Sequence, residues 1–254
     1  MTNIDLMKKR KHKKIFTKCR ARGLAIEEAC EVGVYMPRTS NVIDFIDAGV
    51  RTTLVEPDSR SIAEIRNYFS GKSNIVLITK AIYDYDGRLE LVQRDASTFA
   101  SALAVSPAIV NDRYVPNDSD KFTVECCRFN EIDKGNFDLV SADTEGCEWY
   151  VVKNLISRPK VISIETHGKS YLNPFMKEIS EWMSSHDYRT WYKDNTDTVY
   201  VRRDLFDETL IDRVSLMLRN VRIAAKKYKH ELKKRLVSSS RSHSPVSRGD
   251  GQGS

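Results

Sequence analysis

The 254-residue sequence lacks a cysteine framework. Its five cysteines, Cys19, Cys30, Cys126, Cys127 and Cys147, form neither a paired disulfide set nor the CxxC spacing of a zinc site. They read as reduced thiols, and none is given a catalytic role. No window approaches the roughly eighteen consecutive apolar residues that a membrane-spanning helix needs. The N-terminal MTNIDL runs directly into KKRKHKK without the apolar core of a secretory signal, so a cytoplasmic protein without a transmembrane segment is expected. No internal repeat is apparent. A GxGxxG loop is also missing, and with it the amide donors that would cradle a dinucleotide's pyrophosphate.

What is present suffices for one substantial α/β core with peripheral arms: 41% of the residues are hydrophobic. The net charge of +6 is concentrated at the two ends, in Lys8 to Lys14 and Arg219 to Arg235. Such basic arms can meet nucleic acid or an anionic surface, and an unstructured solvated arm is their commonest form. The reading divides the chain into a basic arm (1–28), a catalytic-sized domain (29–203), a basic amphipathic helix (204–237) and a disordered tail rich in Ser, Arg and Gly (238–254).

Strand-like and helix-like runs alternate from residue 30 to about residue 200, which predicts a parallel sheet covered by helices. Strands are expected at 29–34, 52–56, 74–82, 122–126, 137–143 and 161–165, with LELV as a short extra strand and 189–193 with 198–202 as a closing antiparallel hairpin. Helices are expected at 40–48, at 61–69 with a Ser61/Glu64 capping box, after Gly146 on the spacing of Trp149, Val152, Leu155 and Ile156, and around Ile179, Trp182 and Met183. Residues 94–120 lose periodicity and read as a lid or a disordered loop. The stripe Leu210, Val214, Met217, Val221, Ala224 and Tyr228 is heptad-like, with packing on the parent domain expected and a homo-oligomeric contact as the alternative. Trp149, Trp182 and Trp191 read as packing residues, and His186 and His230 as solvent-facing.

The most informative stretch is FDLVSADTEGCEW at 137–149, where an apolar run ends in Asp143, Glu145 and Glu148 around Gly146. Ligand crevices in open α/β sheets lie outside the carboxyl ends of the strands, where this strand-to-helix turn places Asp143 and Glu145. Glu148 reads instead as a charge favoured by the positive end of the following helix. Upstream, one strand ends in Glu31-Val32-Gly33 and the next in Val55-Glu56-Pro57. A carboxylate at the second position can accept two hydrogen bonds from a ribose diol, while Gly33 would let the backbone approach the ligand. A nucleoside without a pyrophosphate fits these residues better than NAD.

With these motifs in order, the sequence resembles the FkbM-type family of S-adenosylmethionine-dependent methyltransferases. The resemblance covers residues 29–203 and rests on EVG at 31–33, VEP at 55–57, AIYDYDGRLEL at 81–91, DLVSADTEGCEW at 138–149 and ISIETHG at 162–168. It implies a Rossmann-like class I methyltransferase sandwich of three layers, with a mostly parallel seven-stranded sheet, an antiparallel C-terminal hairpin and, in this chain, an added long helix. It also implies methyl transfer from S-adenosylmethionine, most often to a hydroxyl of a sugar or small metabolite, here a small-molecule or glycan acceptor. Carried over, Glu31 and Gly33 would lie at the methionine and ribose end of the cofactor, Glu56 on the ribose diol, and Ala81 near the adenine. Asp143 would face the amino end of the cofactor or the acceptor. The first motif departs from the family pattern, which usually has Asp in place of Glu31 and further glycines where this chain has Val34, Tyr35, Met36 and Pro37.

A hydroxyl acceptor must lose its proton, and His167, two residues after Glu165, is the expected base, with Asp143 and Glu145 as its catalytic companions. The alternative reading of His167 is a cap on the turn at Gly168. Asp143 and Glu145 could also hold Mg²⁺ or Mn²⁺, but two carboxylates do not specify a metal and none is assigned. Two other readings stand beside the enzyme: an RNA-binding enzyme or adaptor using the basic arms, and a non-catalytic methyltransferase fold serving as a scaffold.

Overall fold

A computed structural model describes residues 10–94, 97–112, 114–115, 117–168 and 170–241. Lys8, Lys9, the side chain of His230 and most of the expected tail lie outside the described residues. Along the chain come α1 (Lys14–Ala21), β1 (Glu28–Val32), α2 (Ile43–Asp47), β2 (Arg51–Val55), α3 (Ser59–Tyr68), β3 (Ile75–Ile78), β4 (Ala81–Ile82), β5 (Gly87–Arg94) and β6 (Ser97–Ala100). They are followed by α4 (Pro107–Asp112), β7 (Lys121–Cys127), β8 (Leu139–Ala142), α5 (Glu148–Val152), β9 (Val161–Glu165), α6 (Met176–Ser185), β10 (Tyr188–Lys193), β11 (Asp197–Arg202) and α7 (Leu210–Arg241).

Seven strands form the main sheet in the order β10-β11-β9-β8-β1-β2-β3, parallel except for β11, which runs antiparallel to both β9 and β10. This is the Rossmann-like methyltransferase fold with the expected closing hairpin. The central strands are apolar on both faces, as strands covered on both sides must be. Alternate residues therefore feed two cores. Ala29, Leu54, Leu139 and Val161 pack with Phe45 of α2 and Ile65 of α3, while Cys30, Val140, Ile162 and Ile164 pack with Val151 of α5 and Ile179 of α6. All five cysteines are free and buried.

A second, four-stranded sheet in the order β4-β7-β5-β6 was only partly legible in the sequence. The single strand expected at 74–82 is two, because Ile75–Ile78 pair with β2 whereas Ala81 and Ile82 pair with Cys126 and Cys127 of β7. The aperiodic stretch 94–120 contains β6, which pairs with β5 and buries Phe99 and Ala100, and α4. Both elements are too short to show a sequence period.

Other expectations change for identifiable reasons. Helix α3 is capped by Asp58, whose carboxylate accepts the Arg60 N–H and the Ser61 hydroxyl, in place of a Ser61/Glu64 box. Helix α5 stops at Val152 and leaves Ile156 exposed, because the buried Asp133 carboxylate accepts the N–H groups of Ile156 and Ser157 and turns the chain away. Over residues 14–21 the basic arm is not unstructured: Ile15, Phe16 and Cys19 of α1 are buried, and Arg10 and the Lys13 N–H both bind the buried Asp44 carboxylate at 2.5 Å. Helix α7 turns its heptad-like stripe outward, with Leu210 75% and Met217 68% exposed. It docks through a different face, where Asp212 pairs with Arg22 and Arg219 donates to the Asp194 carbonyl. Among the described residues no helix is long and apolar enough to cross a membrane.

Candidate active site

Strand register sets the site. Val32 lies level with Val55 and Ala142, and Ala142 with Ile164, so the next residues, Gly33, Glu56, Asp143 and Glu165, form one row at the carboxyl edge of the sheet. Over this edge lies the second sheet, and a cavity of about 310 Å³ opens between them. That volume sits at the lower end of the roughly 300–1,000 Å³ usual for small-molecule sites. One wall is polar, from Glu31, Glu56, Asp143, Glu145 and Asp197; the facing wall is largely apolar, from Ala81, Ile82, Leu89, Leu91 and Phe99. Of the residues singled out in the sequence, Glu31, Gly33, Glu56, Ala81, Asp143 and Glu145 all line the cavity, and so do Thr98 and Phe99 from the stretch expected to be a lid.

Gly33 lines the cavity, and a contact within the sheet also requires it. Its φ is +81°, and a Cβ would sit 1.8 Å from the Asp143 carbonyl oxygen. The glycine lets the end of β8 cross the end of β1, which sets Asp143 beside the cavity. Two residues on, Tyr35 occupies the left-handed region at φ +50° and also lines the cavity. A side chain in that conformation costs about 1–2 kcal/mol. The cost is offset by Glu56, whose Oε2 accepts the Val34 and Tyr35 N–H groups at 3.0 and 2.8 Å while its Oε1 accepts that of Asp58 at 2.9 Å. A carboxylate thus takes over the ordering of a loop that has few glycines.

Glu31 is buried, and its carboxylate accepts the Ser40 hydroxyl and the Asn41 N–H. Burial raises its pKa to about 7, against the lowering effect of those two hydrogen bonds. Asn41 donates onward to Asp197 Oδ2 at 3.1 Å, and Ser163 to the same oxygen at 3.3 Å, so the turn between β10 and β11 is tied to the first loop.

Glu148 is the first residue of α5, at the helix end where its sequence position put it, but it also holds the turn before the helix. It is fully buried; its Oε1 accepts the Thr144 and Gly146 N–H groups at 2.8 and 3.1 Å, and its Oε2 the Asn173 amide at 2.5 Å. These bonds hold the turn in which Glu145 adopts φ +56°. Asp143 is held well above the usual carboxylate range, by burial first and then by repulsion from Glu145, Asp197 and Glu148. Glu165 is raised for the same reasons, with Asp143 as its strongest repelling neighbour. Glu165 is not among the expected site residues, and its place at a strand end beside β8 is the signal that marks it in the sequence. Asp197 and Tyr35 carried none.

His167 is the one predicted site residue that does not line the cavity. Its Nδ1 pairs with the Thr166 hydroxyl at 2.9 Å and its Nε2 with the Asp194 carbonyl at 3.3 Å. Burial lowers its pKa, so the ring is neutral near pH 7. A separate cleft between α1, the β10–β11 hairpin and α7 gathers Lys14, Lys18, Lys193, Arg219 and Arg222.

The chain is similar to several solved structures at low identity. The ribosomal protein L11 methylase of Lactobacillus delbrueckii subsp. bulgaricus is 10% identical, with 74% of this chain and 75% of that one covered at a TM-score of 0.41. The methyltransferase domain of bacterial CtHen1 is 10% identical over 74% of this chain and 94% of that one, at a TM-score of 0.40. The precorrin-6y C5,15-methyltransferase of Geobacter metallireducens is 14% identical over 75% and 92%, at 0.34. No curated protein matches the sequence. The methyltransferase FkbM domain, by contrast, matches residues 31–190, from the first cavity carboxylate into β10 and over more than half of the chain. The protein therefore belongs to the FkbM methyltransferase family.

Proposed function

We propose that this methyltransferase uses S-adenosylmethionine and transfers its methyl group to a hydroxyl of a sugar or small metabolite. The observation that carries the reading is the row of carboxylates, Glu56 and Asp143 among them, along one wall of a cavity whose other wall is apolar. The donor set suits a nucleoside cofactor. Glu56 has used about three of its four lone-pair positions on backbone amides, which leaves Oε1 one acceptor position for a ribose hydroxyl. Ala81, Ile82 and Leu91 offer a surface for a purine, and the Tyr35 ring takes space that a glycine-rich loop would leave open. When bound, the cofactor supplies an electrophilic methyl group whose sulfur departs neutral, so positioning carries much of the barrier.

The chain's own contribution to chemistry is proton removal from the acceptor. We assign it to Asp143, seconded by Glu145, and not to His167, whose ring nitrogens are turned to Thr166 and Asp194 outside the cavity. A carboxylate pushed up by burial is a stronger base than an exposed one, and a base in position typically contributes about 10²–10⁴ in rate.

Calorimetric titration with S-adenosylmethionine and S-adenosylhomocysteine tests the cofactor. Absence of heat at millimolar ligand would sink the enzyme reading in favour of a scaffold. Given binding, Glu56→Ala should weaken it, while Asp143→Asn should spare it and lower turnover by about 10²–10⁴. His167→Ala should keep turnover within roughly tenfold of the parent, since it removes a positioning residue only. A larger loss with folding intact would return the base role to His167.

A further inference from the structure

We propose that Asp143, Glu165 and Glu145 form a divalent-cation site of the magnesium and manganese class, placed to hold the acceptor's oxygen. The assignment deepens the methyltransferase reading and rests on it only for the role of the cation.

Each of these side chains brings a carboxylate oxygen to within 4.8 Å of the other two. A cation bound at about 2.1 Å from each oxygen sets neighbouring ligands roughly 3 Å apart and opposed ones about 4.2 Å apart, so the three fit one coordination sphere after small adjustments. They come from two adjacent strand ends and the turn that follows β8, all anchored by the sheet and by Glu148. Among the described residues, no lysine, arginine or histidine makes an ion pair with Asp143 or Glu165.

Independent of the acids, Tyr171 is 0% exposed, and its hydroxyl has no hydrogen-bond partner. That hydroxyl lies over the same turn, 3.7 Å from where a Cβ on Gly146 would stand, and the acids that act on it most strongly are Glu148, Glu165, Glu145 and Asp143. Glu165 is 94% buried, and its Oε2 is likewise without a partner. Buried polar groups are rarely left unpaired, and an unpaired Tyr171 hydroxyl beside a carboxylate cluster that itself holds an unpaired oxygen marks a place where a ligand completes the network. A cation satisfies Glu165 directly, and a water on that cation can accept the Tyr171 hydroxyl.

The ligand set fixes the class. All the donors are hard oxygens with no thiolate or imidazole, which suits Mg²⁺ or Mn²⁺ over Zn²⁺. Three protein oxygens leave open positions for water and for one or two oxygens of the acceptor. Coordination would lower the pKa of an acceptor hydroxyl, and Asp143, holding the cation through one carboxylate oxygen, would keep its base role through the other, passing the proton on to solvent.

The test is titration of the full chain with Mn²⁺, read by the electron paramagnetic resonance signal of the free ion. A second readout is paramagnetic broadening of backbone amide signals, with and without S-adenosylhomocysteine. One saturable site is expected, competed by Mg²⁺, with broadening centred on Asp143 to Gly146 and Glu165 to His167. Asp143→Asn and Glu165→Gln should each weaken Mn²⁺ by at least roughly tenfold, and Tyr171→Phe by a smaller factor. Lack of saturable binding at millimolar Mn²⁺, broadening elsewhere, or Mn²⁺ affinity unchanged in both carboxylate variants would each overturn the site. Should a variant fail to fold, the broadening map of the parent protein still decides. S-adenosylhomocysteine binding measured in EDTA keeps the two questions apart, since it can persist when Mn²⁺ binding is absent.

Discussion

Gly33→Ala isolates the contact that places Asp143. A Cβ there would lie 1.8 Å from the Asp143 carbonyl oxygen and 2.8 Å from its carbon. Unbonded carbon and oxygen stay at least roughly 3.3 Å apart, so the ends of β1 and β8 must part by about 1.5 Å. Neither end is free to move: the Asp143 N–H is bonded to the Val32 carbonyl and the Gly33 N–H to the Val55 carbonyl, both at 2.9 Å. Overpacking of this kind costs about 1–3 kcal/mol. Loss of one ladder bond adds about 0.5–1.5 kcal/mol, and an alanine in the left-handed region about 1–2 kcal/mol. The sum is roughly 3–6 kcal/mol, a large share of the about 5–15 kcal/mol that holds a domain together. Gly71→Ala supplies the control, because Gly71 has φ +95° with nothing within 4 Å of a Cβ, so only the backbone cost applies. Urea denaturation of both variants, followed by circular dichroism, should show Gly33→Ala less stable than Gly71→Ala by about 1.5–4.5 kcal/mol. Equal losses in the two variants would refute the crossing argument and return Gly33 to a ligand-clearance role.

Two further outcomes follow from the buried acids. Glu148→Ala strands the Thr144 and Gly146 N–H groups and the Asn173 amide, and should cost roughly 3–5 kcal/mol in urea denaturation. Glu148→Gln keeps an acceptor for the two N–H groups and should cost less, so an alanine variant as stable as the parent would refute the anchoring role. The pH dependence of stability has an unusual sign. Glu31, Asp143 and Glu165 bind protons more tightly folded than unfolded, because burial disfavours their charged forms. Their contribution is full below the ordinary carboxylate range and is lost as pH rises, for Glu31 between 4.5 and about 7. In EDTA, thermal unfolding should occur at higher temperature near pH 5 than near pH 7.5, and Glu31→Gln should flatten the trend. A midpoint that climbs steadily over that range would exclude it.

The core was legible because it depends on periodicity. Short, largely apolar runs such as Val161–Glu165, alternating with helix-like segments, predict a parallel sheet covered on both faces, which is what forms; the strand order came only with the tertiary structure. The second sheet was obscured because β4 and β6 are two and four residues long, below the length at which alternation shows. The outward turn of the α7 stripe was likewise unreadable. Apolar spacing shows that a face exists, while ion pairs such as Arg22–Asp212 choose which face docks.

For the site, the sequence by itself determined the strand ends and the acid-rich turn: Glu31, Gly33, Glu56, Asp143 and Glu145 follow from where apolar runs stop, Ala81 from the family resemblance alone, and all of them line one cavity. Only the tertiary structure decided what each does. Register brought Glu165 level with Asp143, Glu148 turned inward to hold the turn, Gly33 served a strand crossing, and His167 spent its ring on Thr166 and Asp194. Spacing along a chain fixes which residues reach an edge. The direction of a side chain and the partners it meets depend on strands far apart in sequence.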